Sequence, residues 1–175
     1  AATQVFVRWM DSGQTAKLTN LNESSGEFVW SPDGDQLAFS MLVPEKRKPF
    51  AELPEKPEGA QWAESFKVYD TLVYRDDGKG YIKEGFRHLF VLPADGGTPR
   101  QVTRGSFHHA ERPAWTLDGK SLVFSANRND DWEHEPLDTN LYRVSIADGA
   151  VTQLTDRRGG DASPVLSYDG KQIAF

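Results

Sequence analysis

Short runs of alternating apolar and polar residues, separated by Asp-Gly pairs, dominate this sequence. One such unit occurs three times, at 30–40, 115–125 and 166–175. After each Asp-Gly pair, two large apolar residues stand two positions apart: Leu37 and Phe39, Leu122 and Phe124, Ile173 and Phe175. A period of two places both on one face of a strand, and glycine supplies the positive φ that a tight turn needs. The pattern predicts three copies of one β-hairpin.

A second hairpin unit alternates with the first. Its three copies turn at Asp11, Asp95 and Asp148, and each ends in an apolar residue followed by threonine: Leu18-Thr19, Val102-Thr103 and Leu154-Thr155. The strand before each turn carries an aromatic residue: Phe6, Phe90 and Tyr142. Three aligned copies of each of two units favour a true repeat over a set of unrelated hairpins.

Two hairpins in succession form a four-stranded antiparallel blade, and blades packed around an axis form a β-propeller. Asp118 and Asp169 lie 51 positions apart, a spacing typical of one blade. Asp33 and Asp118 lie 85 positions apart, so the first full repeat contains an insertion. The sequence predicts an all-β fold, a partial β-propeller of about three four-stranded antiparallel blades.

The repeats also predict the domain boundaries. We expect a half blade at 1–20, a blade at 26–104 with an insertion at 44–85, a blade at 111–156 and a half blade at 162–175. Propellers have at least four blades, so we expect the sequence to be a fragment of a longer propeller. A half blade at each end leaves unpaired backbone groups, which predicts self-association through those edges.

Trp30 and Trp115 begin the first strand of their repeats, and Leu166 holds the third such place. In a propeller the first strand of each blade is the innermost. We therefore expect both indoles to pack between blades, with a thinner contact at Leu166.

The insertion has two parts. Residues 44–60 combine four prolines with charges of both signs, a composition that favours a solvated, extended arm over a helix. Residues 62–81 alternate aromatic and polar side chains and predict an aromatic hairpin. That hairpin either packs its aromatic side chains on the propeller or forms a lid that faces a ligand.

Composition narrows the class of protein. A hydrophobic fraction of 38% and a charged fraction of 26% are ordinary for a globular chain. The formal net charge of −6 gives no attraction to nucleic acid or to an anionic membrane, and no apolar run approaches the ~18 residues that span a bilayer. The first residues predict a strand rather than a signal peptide. The absence of cysteine excludes disulfides and thiolate chemistry but leaves periplasm and cytoplasm both open.

Two segments contain residue types that bind metal ions. The acidic loop at 129–136 lacks the glycine-containing pattern of a calcium loop. His108 and His109, with Glu111 after them, are neighbours in sequence, and neighbouring strand residues point to opposite faces. We therefore expect neither a metal nor a cofactor.

Charged and imidazole side chains cluster just before two predicted inner strands. Segments 107–113 and 157–161 occupy equivalent places in successive repeats, near the mouth of a propeller channel. The candidate substrate-facing rim consists of His108, His109, Arg112, Arg157 and Arg158. For Arg112, the alternatives are a peptide carboxylate and an ion pair with a neighbouring acidic residue.

The Trp-Ser-Pro-Asp-Gly run at 30–34 resembles the repeats of TolB-like proteins and of the prolyl oligopeptidase family of serine peptidases. The runs at 69–81, 88–91 and 96–103 look like the propeller of the acylaminoacyl-peptidase and dipeptidyl-peptidase-like members. The resemblance implies an N-terminal propeller of about seven blades and a C-terminal α/β-hydrolase domain with a Ser-Asp-His triad. That catalytic domain is absent from this sequence.

The chain also lacks the Gly-x-Ser-x-Gly elbow of such hydrolases, since Ser12, Ser106 and Ser163 each miss at least one of the two glycines. The resemblance therefore implies a non-catalytic propeller that gates the access of short peptides to its own catalytic domain. One alternative is a TolB-like protein-binding scaffold without enzymatic activity. A lyase with a metal site in the channel is disfavoured, because the four histidines do not recur at the repeat spacing.

Overall fold

The computed structural model describes residues 2–45, 54–63, 68–78, 80–109 and 112–175, and these form strands, turns and coil without a helix. No helix that would cross a membrane is therefore found in this part of the chain. The strands are β1 (Phe6–Arg8), β2 (Thr15–Lys17), β3 (Val29–Trp30), β4 (Gln36–Pro44), β5 (Arg75–Asp76), β6 (Gly80–Tyr81), β7 (Gly85–Pro93), β8 (Arg100–Gln101), β9 (Ala114–Trp115), β10 (Ser121–Ala126), β11 (Asn140–Ser145), β12 (Val151–Gln153), β13 (Val165–Leu166) and β14 (Ile173–Ala174).

Two four-stranded antiparallel sheets form the centre of the structure. Their strand orders are β3-β4-β7-β8 and β9-β10-β11-β12, so each strand pairs with its neighbours in the repeat. Two-stranded sheets, β1-β2 and β13-β14, precede and follow them, and β5-β6 forms a separate hairpin within the insertion. The predicted all-β fold and partial β-propeller are confirmed.

The turn between the first two strands of each repeat has the same hydrogen bonds in all three copies. In the first copy Ser31 Oγ donates to Asp33 Oδ1 (2.5 Å), and the Gln36 amide donates back to Ser31 Oγ (2.9 Å). Thr116 with Asp118 and Ser167 with Asp169 repeat this arrangement. The hydroxyl hydrogen bond is the main cause that lowers the pKa of Asp33, Asp118 and Asp169. These carboxylates are therefore structural components of the turn.

A threonine connects the last two strands of each repeat. Its Oγ1 accepts the amide hydrogen of a residue in the third strand at 2.9 Å, in the pairs Thr19–Val5, Thr103–Leu89 and Thr155–Leu141. The same hydroxyl also contacts the polar side chain of the residue just before the amide donor. In the three copies that residue is Gln4, His88 and Asn140. The Leu-Thr and Val-Thr pairs in the sequence therefore mark the place where a threonine hydroxyl fixes the pairing of the last two strands in each repeat.

The core lies between successive sheets. One buried cluster joins the two four-stranded sheets and includes Leu89, Leu122 and Phe124. A second joins β1-β2 to the first four-stranded sheet around Phe39 and Phe90, whose rings stack at 5.7 Å. The first four-stranded sheet therefore buries its two faces against the sheets before and after it, as the blades of a propeller do.

The two tryptophans differ in burial. Trp115 is 7% exposed, and its indole N–H donates to the Val29 carbonyl of the preceding sheet at 3.1 Å. Trp30 begins the equivalent strand but is 51% exposed. The expectation that both pack between blades is wrong for Trp30, because the described residues before it form only the β1-β2 pair and offer no strand in the place of β3.

The insertion leaves the sheet after Pro44 and returns at Gly85, and these two residues are paired in the β4–β7 ladder. Gly85 has a φ of +126°, and a Cβ atom there would lie 2.2 Å from the Val43 carbonyl oxygen. Only glycine fits this position, since the conformation and the contact both exclude a side chain.

We predict that Gly85→Ala destabilises the fold by about 3 kcal/mol, because it adds a backbone clash to a strained φ. Gly34→Ala is the matched control: its φ is +78° and a Cβ there meets nothing within 4 Å, so about 1 kcal/mol is expected. Urea unfolding of the two variants measures the difference. Equal losses would contradict the assigned role of Gly85.

We also predict that Trp115→Ala costs about 3–5 kcal/mol, as large core truncations do. Trp30→Ala should cost less than half as much, since that side chain is already half exposed. Urea unfolding monitored by circular dichroism compares the two, and a greater loss at Trp30 would contradict the described contact.

Candidate functional site

The connections between strands divide into two sets at opposite ends of the sheets. Because neighbouring strands are antiparallel, the connections within each hairpin lie at one end, and those between hairpins lie at the other. The first set consists of short turns such as 31–35 and 94–99. The second contains every long connection, including 45–84, 102–113 and 127–139. We call the first the turn face and the second the loop face.

All five candidate rim residues lie on the loop face, in the two connections between sheets. Four of them (His108, Arg112, Arg157 and Arg158) are exposed. His109 is 1% exposed, so in this structure it faces the interior between two sheets. Glu111, the third residue of the metal site considered from the sequence, lies outside the described residues.

The exposed arginines of the rim form ion pairs. Arg112 lies 3.5 Å from Glu27, and Arg158 lies 3.5 Å from Glu135. Pairs this exposed contribute little to stability.

Of the three rim arginines, Arg157 makes the shortest contact with a carboxylate. Its Nε and Nη2 lie 2.7 and 2.6 Å from Oδ1 of the buried Asp161. These hydrogen bonds are the main cause that lowers the pKa of the Asp161 carboxyl. Arg157 also lies over the Phe175 ring at 5.0 Å, so its guanidinium is held in place by the protein.

The tautomer of His109 follows from its partners. Nδ1 lies 2.9 Å from the Arg87 carbonyl oxygen, which only accepts, so Nδ1 carries the proton. Nε2 lies 3.3 Å from Arg128 Nη1 and accepts from that guanidinium. Burial is the main cause that lowers the pKa of His109 to about 4. His109 is thus neutral at pH 7 and holds Arg128.

His88 is a second buried imidazole, and it packs against that of His109. Its ring centroid is 5.1 Å from that of His109, and its Nδ1 is 3.4 Å from Thr103 Oγ1. Burial is the main cause that lowers the pKa of His88 to about 4, and electrostatic interactions, first with His108 and then with Arg128, lower it further. Two neutral imidazoles therefore pack side by side between the sheets.

An aromatic group at the sheet boundary contains His108. Its Nδ1 accepts the Arg87 amide hydrogen at 3.3 Å, so Nε2 carries the ring proton. The ring lies 5.2 Å from Phe86 and 5.8 Å from Trp132, edge to face with the latter. Phe86 belongs to β7 and Trp132 to the β10–β11 loop. Three separate elements thus build one aromatic surface on the loop face, which we call the boundary cluster.

Arg128 lies beside the boundary cluster and is not among the rim residues that the sequence predicts. Its guanidinium lies over the rings of Phe107 (5.0 Å) and Tyr142 (5.5 Å), a favourable cation–π arrangement. It is partly buried. Within the described part of the chain, His109 is its hydrogen-bonding partner and no carboxylate pairs with it. The local sequence pattern identifies neither this residue nor Phe86 and Trp132, because their contacts join residues that are far apart in the chain.

The described tyrosines of the insertion pack on each other. Tyr69 stacks on Tyr81 at 5.2 Å and lies 5.7 Å from Tyr74, while Tyr81 and Tyr74 remain exposed. Lys83 Nζ binds Glu23 at 2.8 Å and ties the insertion to the preceding connection. Both alternatives for this hairpin, packing on the propeller and forming a lid that faces a ligand, stay predictions. Residues 46–53 and 64–67 of the insertion lie outside the described residues.

The acidic loop at 129–136 is held by internal contacts. His134 Nδ1 lies 2.5 Å from Asp131 Oδ1, and Asn129 Nδ2 donates to Asp138 Oδ2 at 2.9 Å. Among the residues that the structure describes, no group of three His, Cys, Asp or Glu side chains could hold a metal ion.

The buried histidines predict a pH-dependent stability. His88 and His109 have folded pKa values near 4, below the value of 6.5 for an exposed imidazole. The unfolded chain therefore binds more protons between pH 6.5 and 4, and stability falls as the pH is lowered through that window. Each group contributes a slope of up to about 1.4 kcal/mol per pH unit.

His88→Asn should reduce that slope, since Asn140 fills the equivalent place in the next repeat. His134→Asn is the control, because His134 is an exposed loop residue. Urea unfolding at pH 7, 6 and 5 measures the slope for each variant. An unchanged slope in His88→Asn would contradict the assignment.

Comparisons with known proteins agree with this architecture. Residues 53–174 match the family described as "Dipeptidyl peptidase IV (DPP IV) N-terminal region". The chain is 30% identical over 126 residues to the uncharacterized peptidase YuxL of Bacillus subtilis, covering 72% of this chain and 18% of that protein. It is 33% identical over 105 residues to the Tol-Pal system protein TolB of Francisella tularensis, covering 59% and 22%.

A solved structure shows the same fold. Acylaminoacyl peptidase in complex with Z-Gly-Gly-Phe-chloromethyl ketone superimposes with a TM-score of 0.60 and 15% identity, over 88% of this chain and 21% of that one. The chain thus spans about a fifth of the length of each of these three proteins. The predicted resemblance to the propellers of prolyl-oligopeptidase-type peptidases is confirmed. This chain belongs to the family of dipeptidyl peptidase IV N-terminal regions.

Proposed function

We propose that this chain is the non-catalytic propeller portion of a serine-type peptidase, and that its loop face controls which peptides reach a separate hydrolase domain. The observation that carries the proposal is the placement of every long connection and of all five rim residues on one face. Membership of a peptidase family supports it. The peptide substrate and the catalytic domain are the partners that the proposal requires.

The exposed side chains differ between the two faces, and this difference supports a binding role for the loop face. On the turn face, the Asp-Gly carboxylates are satisfied by their own turns. The loop face instead presents the boundary cluster and several arginines beside an aromatic insertion. Aromatic side chains and arginine are the residue types that contribute most at recognition surfaces.

The environment of the histidines supports a non-catalytic chain. An acyl-transfer triad needs a serine hydroxyl bonded to a histidine that an acidic residue orients. The described histidine side chains contact backbone groups, Arg128, Thr103 and Asp131. Thr103 is fully buried and its Oγ1 accepts the Leu89 amide hydrogen, so it is not placed to attack a substrate.

We predict that the chain alone neither hydrolyses peptides nor reacts with a fluorophosphonate probe for serine hydrolases. The full-length protein that contains it should do both. Labelling on a gel and release of a chromogenic group from acyl-peptide substrates are the measurements. Serine-directed labelling of the purified chain would contradict its non-catalytic role.

We predict that the full-length protein discriminates by peptide length, with kcat/KM falling as the substrate grows. Trp132→Ala on the loop face should narrow the ratio of kcat/KM between short and long peptides by about threefold or more, as it removes bulk at the entrance. Met10→Ala is the control, because Met10 is 89% exposed on the turn face. A ratio that Trp132→Ala leaves unchanged, or that Met10→Ala changes equally, argues against gating by the loop face.

A protein-binding scaffold is the second candidate, favoured by the 33% identity to the Francisella TolB. The two candidates separate in the same experiments. A full-length protein without serine-directed labelling, which instead retains a protein partner through the loop face, supports the scaffold.

A further inference from the structure

We propose that the Arg128 guanidinium on the loop face binds the C-terminal carboxylate of a peptide ligand. The identification of the ligand as a peptide rests on the proposed function, whereas carboxylate binding rests on the geometry of Arg128 itself. The rim residues predicted from the sequence do not include this position.

Arg128 has unused hydrogen-bonding capacity. A guanidinium carries five N–H donors, and within the described residues one contact, from Nη1 to His109 Nε2 at 3.3 Å, is made. Four other arginines have stronger partners: Arg112, Arg157 and Arg158 pair with carboxylates, and Arg100 donates to the Ile146 carbonyl. A partly buried cation without a compensating anion is costly, so this site favours the arrival of one.

The surrounding groups hold the guanidinium in a fixed orientation. Phe107 and Tyr142 lie against it at 5.0 and 5.5 Å. His109 acts as a positioning residue, because the Arg87 carbonyl fixes its tautomer and leaves Nε2 as an acceptor toward Arg128. A guanidinium group that is already held in place loses little conformational entropy on binding, and its planar N–H donors match the geometry of a carboxylate.

The electrostatic surroundings also favour an anion. The nearest described titratable neighbours of Arg128 include three imidazoles, the buried His88 and His109 with His108 beside them, whereas Asp138 and Asp156 act on the Tyr142 side of the guanidinium without pairing with it. After burial, the charge of Arg128 contributes to the low pKa values of His88 and His109. A bound carboxylate would offset that charge and raise both pKa values.

The adjoining boundary cluster supplies the second half of a peptide site. Phe86, His108 and Trp132 present aromatic surface at the end of the same sheet boundary. Aromatic side chains in tilted and edge-to-face contact bury a large apolar area and leave the polar atoms of His and Trp available for hydrogen bonds. A C-terminal residue with an aromatic side chain would place its ring on this surface and its carboxylate at Arg128.

The test is calorimetric binding of acetyl-Gly-Gly-Phe and of its C-terminal amide to the chain at pH 7. We expect the acid to bind at least about tenfold more tightly than the amide. Arg128→Gln should reduce that preference to about one, and Arg128→Lys should retain part of it. Arg104→Gln is the control, an exposed arginine on the connection that also carries His109.

Near-ultraviolet circular dichroism shows whether each variant is folded. If Arg128→Gln does not fold, the Arg128→Lys arm decides: a preference equal to that of the parent chain overturns the proposal, and a reduced one supports it. Failure of the parent chain to bind the acid, or equal binding of acid and amide, overturns it as well.

Competition separates the possible anions. Sodium acetate should displace acetyl-Gly-Gly-Phe more effectively than inorganic phosphate at equal concentration, and the reverse order would overturn carboxylate recognition. Acetyl-Gly-Asp-Phe-amide tests a side-chain carboxylate, and binding equal to that of the free acid would overturn the assignment to the C terminus. Since no arm measures hydrolysis, a full-length protein without peptidase activity would contradict the proposed function and leave this result standing.

Discussion

The boundary between the two four-stranded sheets is the contact on which the rest of the structure depends. Apolar side chains of both sheets meet there, and the Trp115 indole crosses it to the Val29 carbonyl. The same boundary ends on the loop face in His88, His109 and Arg128. Core packing and the candidate site are thus two ends of one interface, so a change in sheet packing also moves the groups that would meet a ligand.

The separation of short turns from long connections explains how this fold accommodates new chemistry. Each Asp-Gly turn satisfies its own polar groups and fixes the strands on either side. The long connections carry hydrogen bonds of their own, such as that from Asn129 to Asp138, and a large insertion leaves and re-enters the sheet at one paired position, Pro44 with Gly85. Variation on the loop face therefore leaves the registers of the strands intact.

Equivalent positions of successive repeats share a backbone role and differ in side chain. The amide of His109 donates to the Arg87 carbonyl, and that of Asp161 donates to the Thr139 carbonyl, both at 2.9 Å. Each buried side chain then contacts an arginine, Arg128 for the histidine and Arg157 for the aspartate. The aspartate neutralises its arginine, whereas the neutral histidine does not, and within the described residues no carboxylate pairs with Arg128. The two arginines come from different places in the chain, Arg128 from 19 positions after His109 and Arg157 from 4 positions before Asp161, so the structural ion pair and the candidate anion site are built by separate contacts on a shared backbone arrangement.

Features that depend on neighbours in sequence could be predicted from the sequence. The hairpins, their Asp-Gly turns and the repeat of two units follow from local alternation and turn chemistry, and the position of the rim follows from counting strands. What required the tertiary structure is the set of contacts between repeats. His109 meets Arg87 across 22 positions and Arg128 across 19, which buries one predicted rim residue and brings an unpredicted arginine beside it. Trp30 and Trp115 look alike in sequence, but their exposure differs because burial depends on what the preceding sheet offers, and no local pattern encodes that.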